Sequence, residues 1–133
     1  MTLQVQVVSP ERILWTGEAD MVIARTVGGG DIAFLTGHAP FVGALDIGQV
    51  TVRPPEGSDD HVAVHGGFVE VSNDHVTILS DVAEVASQID VERARRAQER
   101  AEAALRVEHD AEAEAALARA NLRLQVAGVV GSH

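Results

Sequence analysis

Seven of the ten arginines fall between Arg93 and Arg123, and two of those are spaced to act together. Arg119 and Arg123 lie four apart, which on a helix sets them on one face. Their neighbours are Ala118, Ala120 and Leu122, and no acid stands four residues before or after either. In a two-helix hairpin Arg93 would come round to the same end. Three convergent guanidiniums suit a phosphate chain or an acidic protein surface, because each presents a planar fork of donors. The plainer alternative is a solvated helix face laced by Glu/Arg pairs, and Glu92–Arg96 and Glu102–Arg106 have the spacing for it. The spacing alone leaves both open.

Other chemistry has less support. His61 and His65 share one face of an expected strand but would lie about 13 Å apart, too far to chelate one ion without histidines from other strands. No patterned Glu or His set accompanies them, so ordinary surface histidines are the better reading. Gly28-Gly29-Gly30 lacks the lysine and following helix of a phosphate loop and reads as a turn. No serine stands in a nucleophile setting, and there is no cysteine. The chain is expected to have no active site of its own and to hold no metal.

The elements that must carry these residues change character at Ser87–Ala94. Before it, Leu3–Val7 alternates apolar and polar, and short runs follow at Ile13–Trp15, Met21–Ala24, Asp31–Leu35, Phe41–Leu45, Gln49–Arg53, His61–His65, Phe68–Val71 and Val76–Leu79. Glycine- or proline-bearing turns and the hairpin candidate Ser72-Asn73-Asp74 divide them. Short strands at near-regular spacing predict an all-β unit of antiparallel strands, a sandwich or a barrel, with the sandwich taken as the expected form. After the switch no glycine or proline appears until Gly128. Ala94, Ala97, Ala101 and Leu105, then Ala113, Leu117, Ala120, Leu124 and Ala127, repeat at three and four residues and predict two helices. Asp90 and Asp110 are placed to cap them. The chain thus divides into a sandwich over 1–87 and an antiparallel helical hairpin over 88–133. Alanine buries little area, so the hairpin is expected to be weakly held and able to open.

Composition sets the outer limits. The net charge of −10 argues against nucleic acid as a partner. The first 89 residues hold only Arg12, Arg25 and Arg53 against twelve acids, so positive charge is concentrated in the helices. The lack of cysteine fits a reducing compartment. With neither a signal peptide nor an apolar run of about 18 residues, no direct membrane insertion is expected, and any membrane association would go through a partner.

Several stretches, in order, resemble the epsilon subunit of the bacterial F-type proton-translocating ATP synthase. Val7–Gly17 (VVSPERILWTG) looks like that family's opening strands. Gly30–Leu45 (GDIAFLTGHAPFVGAL) is similar to its G-x-x-G-x-x-P-G-H-x-P signature, with Ala33 for the second glycine and Thr36 for the proline. His65–Glu84 (HGGFVEVSNDHVTILSDVAE) resembles a conserved strand pair of the family, Ile89–Ala101 (IDVERARRAQERA) the start of its helical hairpin, and Ala116–Leu124 (ALARANLRL) its second helix.

The resemblance implies about ten antiparallel strands followed by the hairpin, in a non-catalytic subunit of the central rotor stalk. It implies gamma subunit and c-ring as partners of the sandwich, with Asp31 and His38 matching the loop that faces the ring. It implies a hairpin that can extend into the alpha/beta catalytic head and restrain ATP hydrolysis. It implies ATP as a regulatory ligand of some members and no required cofactor; the matching positions here are Glu84, Ile89, Asp90, Arg93, Arg119 and Arg123. It implies a peripheral protein on the cytoplasmic face of the cell membrane. The competing expectation is a free-standing, cupin-like sandwich that binds a metal or small ligand, with the helices as a dimerisation device.

Overall fold

The computed structural model describes residues 2–128. Its backbone divides into two compact units, Met1–Val85 and Ala86–His133.

The first unit is a β-sandwich. Its strands are β1 (Leu3–Val8), β2 (Ile13–Ala19), β3 (Met21–Thr26), β4 (Gly30–Leu35), β5 (Phe41–Arg53), β6 (Asp60–Ser72), β7 (His75–Leu79) and β8 (Ala83–Val85). They pair in the order β2-β1-β7-β6-β5-β3-β4, with β8 added beside β6. All pairs are antiparallel except β1 with β7, which run parallel. Two layers arise because β5 and β6 are each 13 residues long and serve both. The first half of β6 pairs with β8 through Val62–Val64, and its second half pairs with β7 through Phe68–Ser72.

The inward face confirms the crossing. Val62 and Val64 point into the core, but so do Val69 and Val71, so the parity of β6 flips between them. Gly66 and Gly67 absorb the flip, with φ of 94° and 117° that L side chains rarely adopt. β5 flips likewise between Leu45 and Val50. This is why eight strands stand where about ten are expected. The glycines that read as turns between short strands are bends within long ones, and pairing continues across them in one register, from Phe41↔Val71 to Val52↔Asp60. Parallel pairing of the distant β1 and β7 leaves no signal in either strand's own pattern. The Ser72–Asp74 hairpin does form: Asn73 (φ 50°) and Asp74 (φ 61°) make the two-residue turn whose twist suits joined strands. The core is mostly valine, and Phe34 is its largest fully buried side chain.

The second unit begins with a single 3-10 turn, Ala86–Gln88, followed by α1 (Val91–Val107) and α2 (Ala111–Val126). Asp90 caps α1 by accepting from the Arg93 N–H at 3.0 Å. Asp110 caps α2 by accepting from the Glu112 N–H at 2.9 Å. Three residues between helices this long force them to run antiparallel, and Gln98 Nε2 donates to Asn121 Oδ1 across them at 2.7 Å. α1 buries Ala94 and Ala101, one stripe of small residues. α2 buries Ala113, Ala120, Leu122, Leu124 and Val126. At 100° per residue the last four alternate between two opposite sides of the helix, so the buried surface of α2 is larger than an alanine stripe. Gly128 ends the described chain; Val129–His133 lie outside the described residues.

Candidate functional site

The arginines of the hairpin are arranged by its register. Taking the Gln98–Asn121 bond as the reference level and a rise of 1.5 Å per residue, Arg123 stands about 3 Å from it towards the hinge and Arg93 about 7.5 Å the same way. Arg119 stands about 3 Å to the other side. Along the helix axes Arg93 is therefore nearer Arg123, at about 4.5 Å, than Arg119, at about 10.5 Å. The pairing of Arg119 differs from expectation. Its Nη2 meets Glu112 Oε1 at 2.9 Å, from seven residues back. Two long side chains reach across two turns, which a search at four residues passes over. Glu92 pairs with Arg95 at 3.1 Å rather than with Arg96. Arg93 is exposed beside the cap, and Ile89 is buried just before it.

Glu84 lies on β8, in the sandwich unit, with its side chain 28% exposed. His65 on β6 is its neighbour: Nε2 is 3.5 Å from Glu84 Oε1, and the His65 side chain is only 5% exposed. The residue as a whole is half-buried, but its side chain is turned inward and not at the surface as the sequence led us to expect. The outward parity of the first half of β6 hid this, because exposure on that face is decided by tertiary packing. His61 is half-buried, with Nδ1 3.4 Å from Thr51 Oγ1. Among the described residues no three His, Cys, Asp or Glu side chains gather as a metal would require.

Asp31 and His38 sit at opposite ends of β4. Asp31 is a strand residue, paired with Arg25 Nε at 3.2 Å across to β3. From Asp31 to Leu35 the strand extends about 13 Å. His38 follows in the loop to β5, its ring edge-on to Phe34 at 5.0 Å and its Nδ1 2.7 Å from the Ala39 carbonyl. That loop is tied down despite Ala33 and Thr36: the Gly37 N–H donates to Asp74 Oδ1 at 2.7 Å, in the β6–β7 turn.

The sequence reading missed one surface. Register aligns Ala44, Phe68, Leu79, Val8 and Ile13 in a row across β5, β6, β7, β1 and β2. At about 4.8 Å between strands the row runs about 19 Å. Phe68 and Ile13 are each 56% exposed, Leu79 is 44% exposed, and Val42 beside Ala44 reaches 69%. The signal was available in the paired apolar residues of Phe68–Val69 and Ile78–Leu79, where an alternating strand should show a polar partner.

Residues 2–86 match the family described as ATP synthase, Delta/Epsilon chain, beta-sandwich domain. Residues 87–128 match its companion, the ATP synthase, Delta/Epsilon chain, long alpha-helix domain. The chain belongs to the ATP synthase delta/epsilon chain family. Relatives named ATP synthase epsilon chain include that of Streptomyces griseus, 45% identical over 127 residues and 96% of each chain. That of Shouchella clausii is 45% identical over 95% of each. Among solved structures, a chain of the Euglena gracilis mitochondrial ATP synthase OSCP/F1/c-ring assembly superposes with a TM-score of 0.69, at 22% identity, over 97% of this chain and 79% of that one. At that identity the likeness speaks for the fold. Family membership across both units sets aside the cupin-like alternative. Among the described residues, no helix is long and apolar enough to cross a membrane.

Proposed function

We propose that this chain is the non-catalytic epsilon subunit of a rotary, proton-translocating ATP synthase, with its sandwich seated on the gamma subunit of the central stalk. The observation that carries this is the apolar row from Ala44 to Ile13 with Val42 beside it. Four large exposed side chains in or beside that row, Phe68, Leu79, Ile13 and Val42, form the kind of surface that a protein partner covers. Asp31 and His38, at the two ends of β4, are proposed to contact the c-ring, with no other cofactor required for that role. The location follows from the partners: peripheral, at the cytoplasmic face of the membrane. The test is co-purification with gamma. Phe68→Glu places a charge in the row at an exposed position, so the chain should stay folded while stoichiometric recovery with gamma is lost. Recovery equal to that of the wild type in both Phe68→Glu and a Val42→Glu, Phe68→Glu double variant would refute the assignment.

We also infer that the hairpin is the regulatory part, folded in one state and extended towards the alpha/beta head in another, with ATP favouring the folded state. Arg93, Arg119 and Arg123 span about 10 Å along the hairpin, a reach suited to a polyphosphate. Asp90, Ile89 and Glu84 complete the proposed nucleotide-binding set on the strength of the family resemblance. Calorimetric titration with ATP tests this directly. Binding by the wild type that an Arg119→Ala, Arg123→Ala variant loses supports it; no binding by the wild type removes ATP sensing and leaves the stalk role standing.

A further inference from the structure

We propose that a hollow beside the apolar row seats an arginine side chain of the gamma subunit, an inference that rests on gamma covering that row. The hollow is lined by Gln4, Gln6, Thr16, His75 and Thr77 and holds about 220 Å³. Small-molecule sites run to about 300–1,000 Å³, so this volume suits a side chain of a protein partner better than a free ligand. Register sets the hollow on the face that carries the row. Val5 and Val7 of β1 and Val76 and Ile78 of β7 point into the core. Gln4, Gln6 and Val8 therefore alternate outward along β1, as His75, Thr77 and Leu79 do along β7, with Val8 opposite Leu79. The hollow opens two residues along each strand from the row, about 7 Å away. A partner laid over Leu79 and Phe68 covers it too.

The chemistry of the lining selects a cation. His75 Nδ1 lies 2.9 Å from the Asn73 carbonyl, which can only accept, so Nδ1 carries the proton and Nε2 of the neutral ring is an acceptor. Gln4 Nε2 donates to Glu18 Oε1 at 3.1 Å, which leaves the Gln4 amide oxygen as an acceptor. Thr16 and Thr77 add hydroxyls on either side of Gln6. A carboxylate stands at each flank: Glu18 is opposite Gln4, and Glu70 is opposite Thr77. β1, β2, β7 and the second half of β6 contain no lysine or arginine. Elsewhere in the sandwich Asp31 and Asp59 each meet an arginine of this chain. These strands supply no such cation, and a partner can. A guanidinium offers five donors in a planar fork and no acceptor. It matches several neutral acceptors in a negative surround better than the three donors of a single ammonium do.

The experiment is calorimetric titration of the full chain with gamma, comparing wild type with Gln6→Arg, Gln6→Glu and Phe68→Glu. Gln6 is exposed at the centre of the hollow, so its substitutions leave the core alone. Gln6→Arg sets a like charge where the partner's cation belongs and should weaken binding about tenfold or more. Gln6→Glu, the same size as glutamine, should bind at least as tightly as wild type, and high salt should narrow the gap between the two. Binding weakened by Gln6→Glu would mean that no cation enters and would overturn the inference. Wild-type affinity in Gln6→Arg, while Phe68→Glu loses binding, would put the hollow outside the interface and overturn it with the gamma reading intact. Wild-type affinity in Phe68→Glu would defeat the gamma reading and this inference with it. A dimer of the chain alone that Gln6→Arg dissolves in sedimentation would give the hollow to a second copy and overturn it too. Should Gln6→Arg fail to fold by circular dichroism, Gln4→Arg and Gln4→Glu, at the neighbouring exposed position, decide by the same outcomes.

Discussion

Gly67 is the residue on which the two-layer sandwich turns, and replacing it with alanine should be more costly than any other glycine substitution in the chain. Two terms add. Its φ of 117° lies where a side chain is strained, costing about 1–3 kcal/mol. A Cβ built on Gly67 would also lie 2.0 Å from the Leu79 carbonyl oxygen and 3.0 Å from both the carbonyl carbon and Ser80 Cα. Those are backbone atoms of the last residue of the paired strand β7 and of the residue after it, so no side chain can swing away. Relief requires β6 and β7 to separate where Phe68 opposes Leu79. Losing the hydrogen bonds there adds about 1–3 kcal/mol. The sum, about 2–6 kcal/mol, is a large fraction of the stability of a small domain.

Gly66 is the internal control. It has φ of 94°, but its Cβ would meet only the Leu45 carbonyl oxygen, at 3.9 Å. Gly66→Ala therefore carries the conformational term without the clash. In thermal unfolding followed by circular dichroism, Gly67→Ala should melt at least about 5 °C below Gly66→Ala, taking 4–8 °C per kcal/mol for a unit of this size. Equal melting temperatures would refute the reasoning, since they would mean that the approach of β7 yields at no cost.

The other predictions follow from single contacts. Asp90→Ala removes the α1 cap and should cost about 1 kcal/mol, read as roughly fivefold faster hydrogen exchange at the Arg93 amide; unchanged exchange would mean the cap is idle. The Asp59 carboxyl is held below the usual carboxylate range, first by its hydrogen bond from Arg53. A depressed folded-state pKa stabilises the fold above the unfolded value and is lost as pH falls through the folded one. The Asp59 carboxyl resonance should therefore titrate below about 3.9 in the wild type and return towards it in Arg53→Gln. Glu112→Gln removes the partner of Arg119. If Arg119 binds ATP, that variant should bind at least as tightly as wild type, and clearly weaker binding would show that the ion pair holds the arginine in its working position.

Much of the secondary structure was legible because it depends on near neighbours. The two aspartate caps, the Asn73–Asp74 turn and the alanine stripes are local, set by hydrogen bonds and side-chain sizes within a few residues. The family resemblance was legible for a related reason: its motifs are runs of consecutive residues. The candidate site was less so. Arg119 and Arg123 could be singled out by spacing, yet Glu112 as a partner needed the actual side-chain reach across two turns.

Taken alone, the amino-acid sequence determined the division into a β unit and a helical unit, the lack of any thiol, and the concentration of positive charge on the hairpin. Periodicity, composition and capping chemistry act over one or two turns of chain, so they can be read without coordinates. The tertiary structure decided that Gly66 and Gly67 bend one strand instead of ending it, and that β1 pairs in parallel with β7 some seventy residues away. It also decided that the His65 side chain is turned inward beside Glu84, and that Ala44, Phe68, Leu79, Val8 and Ile13 form one apolar row. Each of these depends on which strand lies next to which, and strand order is fixed by the packing of the whole sandwich, not by the pattern within any strand.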